Sequence, residues 1–169
     1  MVEVELVDIR IEDTTKQPFM ELRPLDGSNR ILPIFIGLAE AAAIKAAVDG
    51  KTPHRPMTHD VFVTTLLSTG AILDQIVVTE FSKRVFFAEL HLTVTTVGGP
   101  VGGRREVVSC RPSDAVALAV RTGAGIFVND DVVKECAVAD LAASATVDQG
   151  DLVDEFRKFI DDIRPDDFK

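Results

Sequence analysis

The chain has 169 residues, of which 46% are hydrophobic and 27% are charged, and its formal net charge is −9. This length suffices for one well-buried core, and the composition is ordinary for a globular protein. The acidic charge argues against the broad basic face of most nucleic-acid-binding proteins, and allows only a weak or transient contact where cations are concentrated.

The amino terminus and the cysteine content indicate a cytoplasmic protein. Residues 1–6 contain neither a basic leader nor an uninterrupted apolar segment, and no stretch approaches the roughly 18 apolar residues of a membrane span. The two cysteines, Cys110 and Cys136, lack metal-type spacing. We therefore expect a reduced, cytoplasmic protein without a membrane partner.

The first half of the chain predicts three strands followed by two helices. Residues 2–12 alternate apolar and polar side chains with one slip at Leu6-Val7, the pattern of a half-buried strand with a bulge. Thr58 is a natural N-cap, and Gly50 and Gly70 are suited to end the two helices. The expected bounds are strands at 2–12, 19–25 and 30–36 and helices at 38–48 and 59–69.

The second half predicts a long hairpin, a further strand, a buried helix, and then a short strand and a short helix. β-Branched and aromatic residues dominate two runs that are joined at 81–83, and a glycine-rich tip at 98–103 leads into the next strand. Asn129-Asp130 caps the last helix, which ends at about residue 136. The expected bounds are strands at 71–80, 84–96, 105–110 and 125–128 and a helix at 112–122.

This order of elements predicts an α+β fold, with a mixed, mostly antiparallel β-sheet packed with a few α-helices, because the hairpins are too short for parallel crossovers. We expect a domain at 1–137, a linker at 138–150, and a C-terminal amphipathic helix with an acidic tail at 151–169. The tail helix has an apolar stripe, which either docks on its own domain or pairs with another subunit. Uncovered strand edges add to the expectation of a homodimer.

Two of the helices begin with similar polar residues. Arg111-Pro112-Ser113-Asp114 precedes one apolar run, and Arg55-Pro56-Met57-Thr58-His59-Asp60 precedes another. Proline and aspartate are favoured in a first helical turn, so helix capping alone explains most of these residues. It does not explain Arg111, a cation at the end of the helix where the dipole disfavours one.

Together with the block Leu32-Pro33-Ile34-Phe35-Ile36-Gly37, which leads into Glu40-Ala41-Ala42-Ala43-Ile44, these segments closely resemble the bifunctional nuclease family, also known as domain of unknown function 151. The three blocks stand in the family's order, and the resemblance covers about residues 1–137. It implies a nuclease that acts on both DNA and RNA. The positions that match the family pattern are Glu40, Arg55, Thr58, His59, Asp60, Arg111, Ser113 and Asp114.

Hydrolysis of a phosphodiester needs an activated water and neutralisation of charge on the phosphoryl oxygens. We expect Asp60 and Asp114 to bind Mg²⁺ or Mn²⁺, with Glu40 or His59 assisting the water. Arg55 and Arg111 are the expected phosphate clamps, and Ser113 and Thr58 complete the phosphate-binding set. The residues of the two helix starts should then converge on one concave site.

Other interpretations stay open at this point. Arg111 and Asp114 could form an internal ion pair that only orients a helix. The same pocket could belong to a non-catalytic module that binds a phosphorylated ligand or a partner protein, and the polar helix starts could also serve an oligomer-forming domain.

Overall fold

The computed structural model describes residues 1–95 and 102–140. In this part of the chain the strands are β1 Val2–Ile11, β2 Pro18–Pro24, β3 Arg30–Phe35, β4 Ala71–Ser82, β5 Val85–Val94, β6 Arg104–Cys110, β7 Gly125–Val128 and β8 Val138–Ala139. The helices are α1 Leu38–Val48, α2 Thr58–Ser68, α3 Pro112–Thr122 and α4 Asp130–Cys136.

The described strands form one sheet in the order β6-β5-β4-β7-β1-β2-β3-β8. All neighbours are antiparallel except β4 and β7, which run parallel with Ile76 opposite Ile126. The α+β fold with a mixed, mostly antiparallel sheet is thus confirmed. The parallel pair arises because β5, β6 and α3 separate the two strands in the chain, which provides a long crossover that hairpin lengths do not reveal.

Two local features of the strands bear on the expectations. The register between β1 and β2 shifts between Leu6 and Asp8, which confirms the bulge expected at Leu6-Val7. The β4–β5 turn is shorter than the expected link at 81–83, since it consists of Lys83 and Arg84 alone, with φ angles of 50° and 65°.

The core is centred on α3, whose buried face is made of small and branched side chains. Val116 and Ala117 are fully buried, and α3 packs against β4 and β5. On its other side α3 contacts α1 and α2. The small side chains let the neighbouring elements approach α3 closely, so a polar group on α3 is brought near groups of both other helices.

The chain divides into residues 1–139 and 140–169. Apart from Asp140, the second unit lies outside the described residues, and with it the predicted amphipathic helix and acidic tail at 151–169. Val138–Ala139, which the sequence assigns to the linker, pairs with β3 as β8. No helix in the described ranges is long and apolar enough to cross a membrane.

The central strand β4 offers a matched test of the core. Ile76 is fully buried, whereas Ile72 of the same strand is 55% exposed. We expect Ile76→Ala to lower the free energy of unfolding by about 2–5 kcal/mol, because it removes buried methyl groups and leaves a cavity. Ile72→Ala should cost less than about 1 kcal/mol. Urea denaturation measures both, and equal losses in the two variants would contradict this core.

Candidate functional site at the starts of three helices

The first turns of α1, α2 and α3 meet at one place. Gly37, Met57 and Arg111 are the respective N-caps of these helices. The first turns contribute Glu40 from α1, His59 from α2 and Asp114 from α3. Because a helix N-terminus carries partial positive charge and free N–H groups, three of them at one place favour negative charge.

Arg111 connects the side chains at this place. Its Nη1 lies 2.8 Å from Glu40 Oε1. On Asp114, Nε donates to Oδ2 at 2.8 Å and Nη2 donates to Oδ1 at 3.0 Å, which makes a bidentate ion pair. His59 Nε2 lies 3.5 Å from the same Oδ1 of Asp114. We refer to Glu40, His59, Arg111 and Asp114 as the helix-start cluster.

The charges in the helix-start cluster reinforce one another. The hydrogen-bonded Arg111 guanidinium, with a smaller contribution from His59, holds the pKa of the Asp114 carboxyl below its ordinary value. In turn, Asp114 and Glu40 raise the pKa of Arg111. The Arg111 side chain is 66% exposed, whereas those of Glu40 and Asp114 are 19% and 30% exposed. The two carboxylates are therefore partly enclosed, and the cation between them faces solvent.

Gly37 permits the position of the Glu40 carboxylate. A Cβ added at Gly37 would lie 2.1 Å from Glu40 Oε2, far inside van der Waals contact. The Glu40 side chain thus folds back over the N-cap of its own helix, where any larger residue at 37 would displace it. The glycine stands in the sequence block that resembles the nuclease family, but its role depends on this contact and could not be read from its position.

Asp60 is held by different partners. Its Oδ1 accepts a hydrogen bond from Arg121 Nε at 2.7 Å, and its Oδ2 accepts one from the Met57 backbone N–H at 2.7 Å. These bonds lower the pKa of the Asp60 carboxyl, Arg121 having the largest effect. The expectation that Thr58 is the N-cap was wrong, because Met57 occupies that position and Thr58 is the first residue of α2.

Sequence reasoning did not find the part played by Arg121. Its side chain is 9% exposed. Besides Asp60, it donates from Nη1 to the Ala117 carbonyl at 2.8 Å and from Nη2 to the Ala43 carbonyl at 3.1 Å. Arg121 thus ties α1, α2 and α3 together. A usable signal exists, since Arg121 stands seven residues after Asp114 and therefore on the same face of α3.

The two remaining phosphate-binding candidates differ in their surroundings. Arg55 is exposed and makes no hydrogen bond or ion pair with the residues that the structure describes. Ser113 is only 6% exposed, and within the same residues its hydroxyl has no hydrogen-bond partner. The structure therefore joins Arg111, Asp114, His59 and Glu40 by direct contacts, while Ser113 stands beside them and Asp60 is bound elsewhere.

A cavity of about 790 Å³ opens beside the helix-start cluster. Gly37, Arg111 and Ser113 line one part of it, and residues of β3 and of the β4–β5 hairpin line another. Its volume falls within the roughly 300–1,000 Å³ of small-molecule sites. A second cavity, of about 560 Å³, adjoins Asp60 and Arg121 and is bordered by the loop at 50–57.

Most of the chain matches one protein-family model. The model of the bifunctional nuclease domain matches residues 21–140. The chain belongs to the bifunctional nuclease domain family. The matched range includes the helix-start cluster, Ser113 and Arg121, so the geometry described above lies within the family's own domain.

Relatives of this chain fall into two groups. An uncharacterized protein of Mycobacterium tuberculosis, Rv1829, is 36% identical over 174 residues, which cover 100% of this chain and 99% of the relative. Bifunctional nuclease 2 of Oryza sativa subsp. japonica is 28% identical over 86% of this chain and 45% of its own length. Bifunctional nuclease 1 of Arabidopsis thaliana is 30% identical over 70% of this chain and 35% of its own length. The plant proteins thus extend well beyond the shared domain.

The fit of a metal ion to this bifunctional nuclease domain can be judged from its donors. In residues 1–95 and 102–140, no three His, Cys, Asp or Glu side chains are grouped so that they could hold a metal ion. Both Asp60 oxygens accept hydrogen bonds from protein donors, and both Asp114 oxygens accept them from Arg111. These residues do not form a preassembled metal centre of the kind that encloses an ion with protein ligands.

The Asp60–Arg121 pair gives a prediction about acid stability. Folding lowers the pKa of Asp60 from 3.8, so the pair stabilises the fold above about pH 4, and this stabilisation is lost as pH falls through the folded-state pKa. Asp60→Asn should lower the unfolding free energy at pH 7 by about 1–3 kcal/mol, since it weakens a hydrogen bond to a charged group. The difference in stability between pH 7 and pH 3 should also become smaller.

Denaturant unfolding at the two pH values measures both effects. Asp131→Asn is the matched control, because the Asp131 side chain is 97% exposed. An Asp60→Asn variant with the stability and acid sensitivity of the control would show that the pair does not hold the helices.

Proposed function

We propose that the protein is a nuclease that hydrolyses phosphodiester bonds of DNA and RNA with low sequence specificity, and that the scissile phosphate binds at the helix-start cluster. The observation that carries this proposal is the meeting of three helix N-termini with the exposed Arg111 guanidinium beside an open cavity. Helix N–H groups and a guanidinium are both suited to phosphate oxygens. Membership of the bifunctional nuclease domain family supports the same reaction.

In this proposal His59 is the general base. Its Nε2 lies 3.5 Å from Asp114, so a hydrogen bond there would orient the imidazole and leave Nδ1 to accept a proton from water. Arg111 would bind a phosphoryl oxygen from its exposed side, while Glu40 holds the guanidinium in place. Arg55, Thr58 and Ser113 are further phosphate-binding candidates of the same proposal.

The charge of the helix-start cluster supports a requirement for a divalent cation in the cleavage step. The cluster contains two carboxylates and one guanidinium, so a phosphodiester that enters it adds to a negative excess. Mg²⁺ in phosphate sites is often bound by only one or two carboxylates and by the substrate itself. Asp114 would supply such a carboxylate, and Asp60 would do so only after releasing Arg121. When bound, Mg²⁺ or Mn²⁺ would neutralise charge on the phosphate.

The alternative function is a non-catalytic module that binds a phosphorylated ligand or a partner protein in the same cavity. The bidentate pairing of Arg111 with Asp114 favours it, since this geometry also serves as a purely structural ion pair. Such a module needs the arginine and the helix N-termini, but it does not need His59 or a metal ion.

Cleavage assays distinguish the two functions. Highly purified protein is incubated with labelled single- and double-stranded DNA and RNA, with Mg²⁺ or Mn²⁺ and with EDTA. We expect cleavage only with the metal, a loss of about 10²–10⁴-fold in His59→Ala, and a loss of about tenfold or more in Asp114→Asn. Asp131→Asn serves as the control and should keep full activity, because Asp131 is exposed on α4.

Unfolding curves of the same variants show that they are folded. Nucleic acid that stays intact under all conditions would contradict the nuclease function. The non-catalytic binding module would then be the remaining function. Cleavage that is equal in wild type, His59→Ala and Asp114→Asn would come from a contaminant and would equally overturn the assignment.

The proposal includes a homodimer in the cytoplasm. Strand β6 forms one edge of the described sheet, and α2 exposes Val61, Phe62 and Leu67. Both cysteines are free thiols, as is usual in a reducing compartment. We expect light scattering over a range of concentrations to give twice the mass of the chain. A monomer at every concentration would contradict the dimer.

A further inference from the structure

We propose that the cavity beside α3 binds one unpaired nucleotide, with its phosphate at the start of α3 and its base against Phe35 and Phe86. The preferred substrate class is therefore single-stranded DNA or RNA. The direction of the phosphate rests on the proposed function, whereas the base-binding part of the cavity stands on separate observations.

The phosphate end of the cavity contains an unpartnered hydroxyl on a largely buried residue. Ser113 is 6% exposed, lines the cavity, and lacks a hydrogen-bond partner among the described residues. It is the second residue of α3, a helix of 11 residues whose first N–H groups are not used within the helix. The hydroxyl and the first N–H groups of the helix are therefore free to donate hydrogen bonds to a ligand in the cavity. A phosphate oxygen is a suitable acceptor.

The opposite part of the cavity is aromatic. Phe35 lines it with 55% of its surface exposed, and Phe86 lines it from the β4–β5 hairpin. Each ring packs against a second ring: Phe19 lies 5.6 Å from Phe35, and Phe81, which also lines the cavity, lies 4.5 Å from Phe86, both measured between ring centroids. Exposed, supported aromatic rings are the surfaces on which unpaired bases stack.

The turn between β4 and β5 adds a cation at a conformational cost. Lys83 and Arg84 both have positive φ angles, a conformation for which hairpin turns of this length normally use Asn-Gly. Arg84 lines the cavity and makes no ion pair within the described ranges. Backbone strain of this kind is concentrated at functional sites, where a side chain is kept although another residue would form the turn at a lower energetic cost. Arg84 is thus placed to bind phosphate beside the base, whereas Glu135, which also lines the cavity, carries the opposite charge.

The shape of this site selects against a duplex. In double-stranded nucleic acid each base is stacked and paired, so it reaches an aromatic cavity only after it is flipped out at an energetic cost. A single strand presents its bases without that cost. A strand that is already unpaired can therefore stack a base on Phe35 while its phosphate binds the Ser113 hydroxyl.

The absence of Trp and Tyr from the chain provides a direct test. The Phe35→Trp variant carries the only strong fluorophore, and a base that stacks on it quenches its emission. Phe87→Trp is the matched control, because Phe87 is exposed on the same hairpin but is not part of the cavity lining. Both are titrated in EDTA, which prevents metal-dependent cleavage, with a single-stranded oligothymidylate and with a DNA duplex of equal length.

We expect the single strand to quench Phe35→Trp with at least about tenfold higher affinity than the duplex, and to leave Phe87→Trp unchanged. Ser113→Ala, introduced into Phe35→Trp, should weaken this binding at least about threefold. Lys83→Asn with Arg84→Gly, in the same background, should weaken it too but raise the melting temperature, because the turn strain is relieved. Equal quenching by single strand and duplex, or equal quenching of both tryptophan variants, would overturn the site.

These outcomes are independent of those for the nuclease. Quenching by the single strand in a protein that cleaves nothing would support the nucleotide site and refute the hydrolysis. Cleavage of single and double strands at equal rates, without selective quenching, would support the hydrolysis and refute the nucleotide site.

Discussion

The Arg121 guanidinium, buried where α1, α2 and α3 meet, is the interaction on which the geometry of the candidate site depends. A buried guanidinium must have its donors satisfied, and here they are taken by Asp60 of α2, the Ala43 carbonyl of α1 and the Ala117 carbonyl of α3 itself. This set of bonds fixes where α1 and α2 lie along α3. The positions of Glu40 and His59 beside Asp114 follow from it.

The neighbours His59 and Asp60 show why the site divides into two parts. His59 extends toward Asp114 and Asp60 toward Arg121, at positions seven residues apart on α3, or about 10 Å along a helix. The start of α2 therefore lies across α3, and its two polar side chains diverge. His59 belongs to the helix-start cluster, whose charges could take part in chemistry. Asp60 binds Arg121, which holds together the helices that carry this cluster.

Much of the fold was predictable from local pattern, because α1, α3 and β7 have the expected bounds and the bulge of β1 lies where the alternation slips. The partners of each side chain were not predictable in this way. The sequence shows that Asp60 and Asp114 occupy similar first turns, but the direction of each carboxylate depends on how the helices cross. The partners of Arg121 and the unpartnered Ser113 likewise exist only once α3 is packed.

The direct test of the central claim is an NMR titration of ¹⁵N-labelled protein with a short single-stranded oligonucleotide in EDTA. If the three helix starts bind phosphate, the largest backbone amide shifts will occur in the first turns of α1, α2 and α3, including Ser113 and Asp114. Shifts confined to other surfaces, such as the exposed face of β6, with the first turns unchanged, would contradict the account.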